Sequence, residues 1–503
     1  MPAEPLIDES VDVVEEGKQT HHACDKLHSE GTNDASEKGN VVSDEVANDG
    51  FSPGDPANPK NWSKSRKWSI LILLSLMGTM MTLATLICAP AIPQILQEFG
   101  SQDAEYSVII VSVWEIGELV GLLLFAPASE VFGRLPVWHT ASILFVVLSI
   151  GLALSSSLQM ITAFRFINGM AYPIVLNAAI AGDMFDVTER GKAMSVMSLP
   201  PLIGPVFGPT LGGLIAEHGG WRWTFWFITI LSGTVELLLL LFLRETYPPK
   251  IFSKKAKKME SSSGDQFSGS KTSTKTPTKA LLLRAIVRPL KFLLLSPIST
   301  ILSLYLAIVY GYLYLVLTTL TEVLQSTHHF SETGTGLAFI GLGLGLACGA
   351  LICRFTLDRF VRRRIQENIF KPEDRLLLMV VGSIAMPVGL FVYGWTLRSG
   401  VHWILPIIGT TFIGLGLLMT QIPAQTYLVD AFSLHAASAT AALFILRTSS
   451  GTALPLAGPP LYSSLGLGWG NSLLGFIALI FIPLPLLLYR FGELLRCKLP
   501  VNS

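Results

Sequence analysis

The sequence predicts an all-α polytopic membrane protein, with twelve transmembrane helices in two six-helix halves around a central cavity. Three observations lead there. Half of the 503 residues are hydrophobic and only 14% are charged, against roughly 25% charged in soluble domains, so lipid must replace water around much of the chain. Between residues 68 and 490 the apolar residues gather into twelve long segments, and a hydrocarbon layer of ~30 Å takes about 20 residues of helix to cross. One long polar connection, residues 245–291, divides the twelve into six and six.

The expected spans are 68–91, 106–127, 137–156, 161–182, 195–215, 222–243, 294–319, 334–353, 376–396, 402–424, 436–457 and 471–490. Residues 1–60 are expected to form a disordered acidic tail, because the first 55 residues carry fourteen acidic side chains and three lysines and cannot bury enough surface to offset chain entropy. No basic stretch followed by a short apolar run opens the chain, so the first spanning helix is expected to direct insertion. The organisation that follows is a first six-helix bundle at 61–244, the central loop at 245–291, a second bundle at 292–491 and a short tail at 492–503.

Orientation follows from basic residues in the connections. With the amino terminus cytoplasmic, one face receives 29 lysines and arginines and the other only Arg222 and Arg398, which puts both termini in the cytoplasm. Asn61-Trp62-Ser63 fits the glycosylation pattern but falls on the cytoplasmic flank, where it is expected to stay unmodified.

Composition also excludes. Lysine plus arginine equals aspartate plus glutamate at 36 each, and nothing supports nucleic-acid binding. The five cysteines, Cys24, Cys88, Cys348, Cys353 and Cys497, have no metal-ligand spacing, so no metal site and no cofactor are expected. There is no soluble domain to hold a catalytic residue, so the chain is not read as an enzyme. It lacks a phosphate-binding G-x-x-x-x-G-K-[ST] run, so ATP is not the energy source. The expected partners are a small-molecule substrate, protons and the lipid bilayer, with the chain working as a monomer.

A faint internal repeat supports the six-plus-six division. Glu130-Val-Phe-Gly133-Arg134 follows the second span, and Asp358-Arg359-Phe-Val-Arg362-Arg363-Arg364 follows the eighth. Halves built as parallel repeats place the substrate site between them, near the midplane.

Buried charge marks candidate coupling residues. Glu115 and Glu118 sit mid-span in the second segment, three residues apart and so on roughly one helix face. Two carboxyls in a low-dielectric site cannot both ionise cheaply, so one is expected to take up and release a proton near neutrality, unless both serve only as hydrogen-bond partners across helices. Glu236 in the sixth segment is a third candidate. Arg165, inside the fourth, needs a cavity or a partner. Tyr305, Tyr310, Tyr312 and Tyr314 in the seventh segment, Gln421 and Gln425 in the tenth and Arg447 in the eleventh could line the second half of the cavity, where aromatic rings offer stacking and cation–π surface. Asn168 and Asn177 of the fourth segment are the candidates from the first half.

An ordered series of motifs resembles the major facilitator superfamily, and within it the fungal twelve-span drug:proton antiporters that include polyamine and multidrug exporters. It runs through DPANPKNWS at 55–63, APASEVFGR at 126–134, RFINGM at 165–170, ERGKAM at 189–194, GPVFGPTLGG at 204–213, GWRWTFW at 220–226, RPLKFLLLSP at 288–297, KPEDRL at 371–376 and QTYLVDAF at 425–432. The resemblance implies the major facilitator fold. It ties Arg165 to proton coupling, beside Asn168 and Gly169. It makes Gly204, Pro205, Gly208, Pro209, Gly212 and Gly213 an antiporter motif; from the residues alone, the same run means close, bent helix packing.

The resemblance also implies a cytoplasmic gating latch at Glu130, Gly133 and Arg134, with Asp183, Arg190, Lys192, Asp358 and Arg359 in the same charge network. Leu135 stands where a second arginine is common, and Ala126 where glycine is preferred. The expected function is a proton-coupled secondary antiporter that exports small amphipathic organic compounds (a drug, a toxin or a fungal secondary metabolite) across the plasma membrane by alternating access, with multidrug resistance as a possible outcome. An importer or uniporter of a small nutrient, or a polyamine exporter, is the alternative.

Overall fold

The computed structural model describes residues 55–101, 103–185, 189, 193, 196–197, 200–263, 287, 290–291, 293–367, 369, 371–398, 400–432 and 436–498. The acidic tail before residue 55, Arg190 and Lys192 lie outside the described residues, as does most of the central connection after Ser263. In order, the helices are α1 Lys64–Leu86, α2 Ile92–Glu98, α3 Ala104–Phe132, α4 Arg134–Ala153, α5 Leu158–Met170, α6 Ile174–Met184, α7 Pro200–Gly219, α8 Trp221–Phe242 and α9 Pro248–Ser263. The second half contains α10 Pro297–His328, α11 Glu332–Ile352, α12 Asp358–Gln366, α13 Met379–Thr396, α14 Ile404–Ala431, α15 Ala436–Leu456, α16 Gly458–Ile480 and α17 Leu484–Lys498. Nine helical runs among the described residues are long and apolar enough to cross a membrane. The broken pair α5–α6, α7 and α15 are the remaining three of the twelve spanning units.

The ends of these helices follow from local chemistry. Ser63, Ser157, Ser296 and Ser331 each accept a hydrogen bond from a first-turn amide, at Arg66, Met160, Ser299 and Gly334, which satisfies a donor that the helix itself leaves open. The fourth span, expected as one segment, is broken at Ala171–Pro173 because proline supplies no amide for the helix ladder. The seventh is longer than its expected 294–319: it ends only where His329 turns left-handed, at φ 54°. The expected loop 245–291 holds a helix, α9, whose lysines keep it polar. Within α16, Gly466 is non-helical, with φ 72°, and separates two helical stretches, so the helix of the last span starts after it.

Each half packs its own interior. In the first, Trp114, Trp138, Phe145, Tyr172 and Phe185 are enclosed by α1, α3, α4, α5, α6 and α8. In the second, Tyr305, Tyr312, Phe339, Tyr393 and Tyr427 fill the equivalent space. Large apolar side chains such as Leu237, Leu241, Leu294 and Phe355 point outward, as expected of helices whose outer solvent is lipid.

The halves meet closely toward the end of the bundle that carries the connections at residues 87–103, 220 and 329–331. There Thr210 Oγ1 donates to Gly336 O at 3.0 Å, Gln325 Nε2 to Pro90 O at 3.0 Å, and Thr333 N to Glu217 Oε2 at 2.9 Å. Leu86, Ala89, Ile92 and Val111 of the first half are part of the second half's hydrophobic core.

Candidate functional site

The run GPVFGPTLGG forms part of α7 and packs it in two directions. A Cβ on Gly204 would lie 2.6 Å from the Thr82 side chain, on Gly208 3.1 Å from Leu83 O, and on Gly212 1.8 Å from Ile87 O. These glycines, four residues apart, form a stripe against α1. A Cβ on Gly213 would lie 2.1 Å from Glu332 O at the start of α11, so this glycine brings α7 against the other half. Pro205 and Pro209 sit inside the helix; Pro209 O and Thr210 approach Gly336.

Arg165 is fully buried, and its guanidinium is committed to backbone. Nε donates to Ile110 O at 2.9 Å, Nη1 to Ala84 O and Nη2 to Thr85 O, both at 2.6 Å, while the Trp114 ring lies 4.9 Å beneath it. Three carbonyls and one aromatic face therefore tie α1, α3 and α5 together. Hydrogen bonding and cation–π contact are what a buried guanidinium requires in place of water.

Glu115 lies between the halves. Its carboxylate, fully buried, accepts a short hydrogen bond from the Tyr314 hydroxyl of α10 through Oε1, and Oε2 has no geometric hydrogen-bond partner among the described residues. Tyr310 stacks obliquely on Tyr314 at 5.1 Å. The Arg447 guanidinium of α15 lies 4.4 Å over the Tyr310 ring and 4.3 Å over Phe444; its Nε is buried and has no hydrogen-bond partner among the described residues. Glu118, three residues further along α3, is half-buried, and the Tyr172 ring meets Trp114 of α3 at 6.5 Å. One turn away, Thr452 Oγ1 donates to Ser112 O at 3.0 Å, and Gly451 leaves room for the Glu115 side chain.

This arrangement assembles Glu115, Tyr310, Tyr314 and Arg447 of the expected residues, with Glu118 three residues along α3, and places beside α3 Tyr172, which is not among the sequence candidates. The Pro173 break was a usable sign, because it turns Tyr172 out of helical register beside α3. Other candidates are elsewhere. Asn168 donates to Ser149 Oγ at 3.0 Å and Asn177 to Leu74 O at 3.4 Å; both serve packing within the first half. Tyr312 donates to Leu474 O at 3.0 Å, and Tyr305 stacks on Phe481 at 5.4 Å. Gln421 and Gln425 are half-buried on α14. Glu236 pairs with His139 of α4, Oε1 to Nδ1 at 2.6 Å, inside the first half rather than between halves.

A second polar cluster lies just beyond the spans. Gly133, at φ 97°, allows α3 to pass into α4 within one residue; it has no side chain to cap α4. Glu245 supplies the cap: Oε1 accepts from Arg134 N at 3.0 Å and Oε2 from Leu135 N at 3.4 Å, where the helix dipole favours an anion. Arg134 reaches Asp183 at 3.5 Å, Ser129 Oγ at 2.5 Å and the Tyr247 ring at 5.0 Å. Burial raises the Asp183 carboxyl to about 6, with Arg134 opposing the rise.

The second half repeats the pairing with Arg375 Nε on Asp430 at 2.5 Å and Lys371 Nζ on Glu493 at 2.8 Å. Arg375 and Asp430 fall in the KPEDRL and QTYLVDAF motifs, but their pairing, like the roles of Glu245 and Glu493, is not legible from sequence, because a charge beside a span end gives no sign of its partner. Glu130 and Asp358 are helical, and Arg359 is exposed.

Twelve spanning helices in two halves that share a buried, charged interface define a membrane transporter. The profile of the Major Facilitator Superfamily matches residues 70–455, and the chain belongs to that superfamily. It is similar to the "Efflux pump radE" of Floropilus chiversii, 40% identical over 449 residues covering 88% of this chain and 84% of that one. It is also similar to the "MFS transporter cpaT" of Aspergillus oryzae, 40% identical over 473 residues covering 93% and 95%. Among solved structures it resembles a D-xylose-proton symporter, at 17% identity and TM-score 0.61 over 82% of this chain and 97% of the other. A bacterial homologue of the human lysosomal transporter Spinster, inward-facing and unoccupied, matches with TM-score 0.60 at 14% identity over 87% and 99%. These two likenesses concern the fold.

Proposed function

We propose that the protein is a proton-coupled antiporter that exports small amphipathic organic compounds, secondary metabolites among them, across the plasma membrane. The observation that carries this reading is the Glu115–Tyr314 hydrogen bond: a titratable carboxyl of one half is held by the other. Protonation changes what a carboxyl can accept, and so can change how the halves meet. The unpartnered Glu115 Oε2 and Arg447 Nε offer a substrate hydrogen bonds at the same place. Similarity to an efflux pump supports the direction.

The close contacts toward one end support an inward-facing state, given the cytoplasmic placement of both termini by the basic connections. Alternating access then consists of opening the α7–α11 and α1–α10 contacts and closing the opposite end around a fixed site. In this reading Glu118 joins Glu115 in coupling. Glu236 is more remote, and Arg165 acts by positioning α1, α3 and α5. Residues 61–244 and 292–491 are the rocking halves, and one chain is the functional unit.

The test is flux into inside-out vesicles containing the full chain, using a neutral, an anionic and a cationic dye with and without an interior-acid pH gradient. Accumulation of at least one dye that requires the gradient, and is lost in Glu118→Gln, supports antiport. Flux of equal size without the gradient would instead favour a uniporter.

A further inference from the structure

Arg165 and Arg447 are both buried in the bundle, and they are provided for differently. Arg165 has three backbone carbonyls for its donors. Arg447 of α15, 9% exposed, has aromatic rings instead, Tyr310 at 4.4 Å and Phe444 at 4.3 Å. Rings attract the cation but supply no oxygen, and Nε has no hydrogen-bond partner among the described residues. None of the ion pairs among the described residues includes Arg447. A buried donor without an acceptor is costly, which makes this one a place for an oxygen of a ligand.

An open acceptor stands close to it. A Cβ on Gly451, one turn along α15 from Arg447, would lie 3.1 Å from the Tyr310 ring and 3.5 Å from Glu115 Cγ, so the ring beneath the guanidinium and the Glu115 side chain approach one point. Glu115 Oε1 accepts from Tyr314, and Oε2 has no geometric hydrogen-bond partner among the described residues. A donor of the second half and an acceptor of the first are thus both left open beside Tyr310.

We propose that the transported compound is neutral and carries a carbonyl and a hydroxyl on an aromatic frame, the carbonyl accepting from Arg447 Nε and the hydroxyl donating to Glu115 Oε2. This rests on the antiport reading above and names the substrate class for the same site. Tyr310 and Tyr314, with ring centroids 5.1 Å apart, supply aromatic surface for the frame. A cation is opposed by Arg447 and an anion by Glu115. Because the donor and the acceptor belong to different halves, a compound with both groups links the halves, and a compound with one does not.

The test measures binding to the full chain in lipid nanodiscs, without a pH gradient. The probes are the para and meta isomers of hydroxybenzophenone, which space the two groups differently. Each is compared with its methyl ether, which lacks the donor, and with the matching benzylphenol, which lacks the carbonyl. Para-benzoylbenzoate and para-benzoylbenzyl-trimethylammonium are the ionic controls. The native chain should bind the better-fitting hydroxy-ketone about tenfold tighter than either of its analogues, and tighter than either ion. Arg447→Gln should reduce the penalty for losing the carbonyl more than that for losing the hydroxyl, Glu115→Gln should do the reverse, and Arg447→Lys should restore part of the carbonyl preference. A packing role moves all probes together, so equal weakening of every probe by both variants overturns the proposal. A hydroxy-ketone bound no tighter than its analogues, tighter binding of either ion, or no binding of either hydroxy-ketone also overturns it. Should a variant fail to fold, the ranking of the probes by the native chain decides alone. If dye flux responds to the gradient while the analogues bind alike, antiport stands and the substrate assignment falls. If the crossed pattern appears and no dye responds to the gradient, antiport falls and the binding site stands.

Discussion

Tyr314 and Glu115 stand 199 residues apart in the chain, in different halves, and are joined by one buried hydrogen bond. A movement that separates α3 from α10 at this point must break or transfer it. A hydrogen bond to a carboxylate contributes about 1.5–3 kcal/mol, enough to bias a two-state equilibrium by about ten- to hundredfold. Tyr314→Phe should therefore shift the chain toward the alternative conformer with little loss of folded protein. The check is labelling of a single cysteine placed near Gly336: its accessibility should rise in Tyr314→Phe, and an unchanged rate would show that the bond has no part in the equilibrium.

Gly213 and Gly212 should separate two consequences of one motif. The missing Cβ of Gly213 permits α7 to meet Glu332 of the other half, whereas that of Gly212 permits α7 to meet Ile87 within its own half. Gly213→Ala should favour opening at that end and reduce transport, with a melting temperature close to that of the native chain. Gly212→Ala should lower the melting temperature, because its clash is with the Ile87 carbonyl of the same half and cannot be relieved by separating the halves; overpacking of this kind costs about 1–3 kcal/mol or more. Equal melting temperatures for the two variants would contradict this division.

Much of this fold could be read before the structure, and the reasons are physical. The membrane requires long apolar helices with internally satisfied backbones, so the spans stand out as runs, and a carboxyl such as Glu115 within one is conspicuous by its cost. Its partner is not. Nothing local distinguishes Tyr314, which meets Glu115, from Tyr312, which bonds Leu474 O two residues earlier on another face. Glu245 was hidden for a related reason: it looks like ordinary loop charge until the fold brings it to the Gly133–Arg134 turn. Asn168 is another such case: a polar residue beside a motif arginine is expected in the cavity, and nothing in the sequence shows that its Nδ2 donates to Ser149 Oγ.

Arg165 should behave as a structural tie. Its bonds to Ile110, Ala84 and Thr85 span three helices, and lysine cannot reproduce that fork. Arg165→Lys is expected to lower both the melting temperature and the amount of chain in the membrane by more than Tyr314→Phe does. Transport per folded molecule is the second measurement. If it is abolished in Arg165→Lys while the melting temperature is unchanged, Arg165 acts in coupling beyond its role as a tie.

Asp183 carries a prediction about pH. Its carboxyl is raised from 3.8 to about 6, first by burial, with Arg134 pulling the other way. A carboxyl whose pKa is higher in the folded chain binds its proton more tightly there, so its contribution to stability is full below the unfolded value and is lost as pH rises through the folded one. The native chain should accordingly gain stability as pH falls from about 7 toward 4, relative to Asp183→Asn, which has no proton to gain. The measurement is the melting temperature of both proteins across that range. Convergence of the two curves at low pH and separation above about 6 is the expected pattern, with Asn the more stable where Asp183 is charged. Parallel curves throughout would show that Asp183 does not titrate in this window.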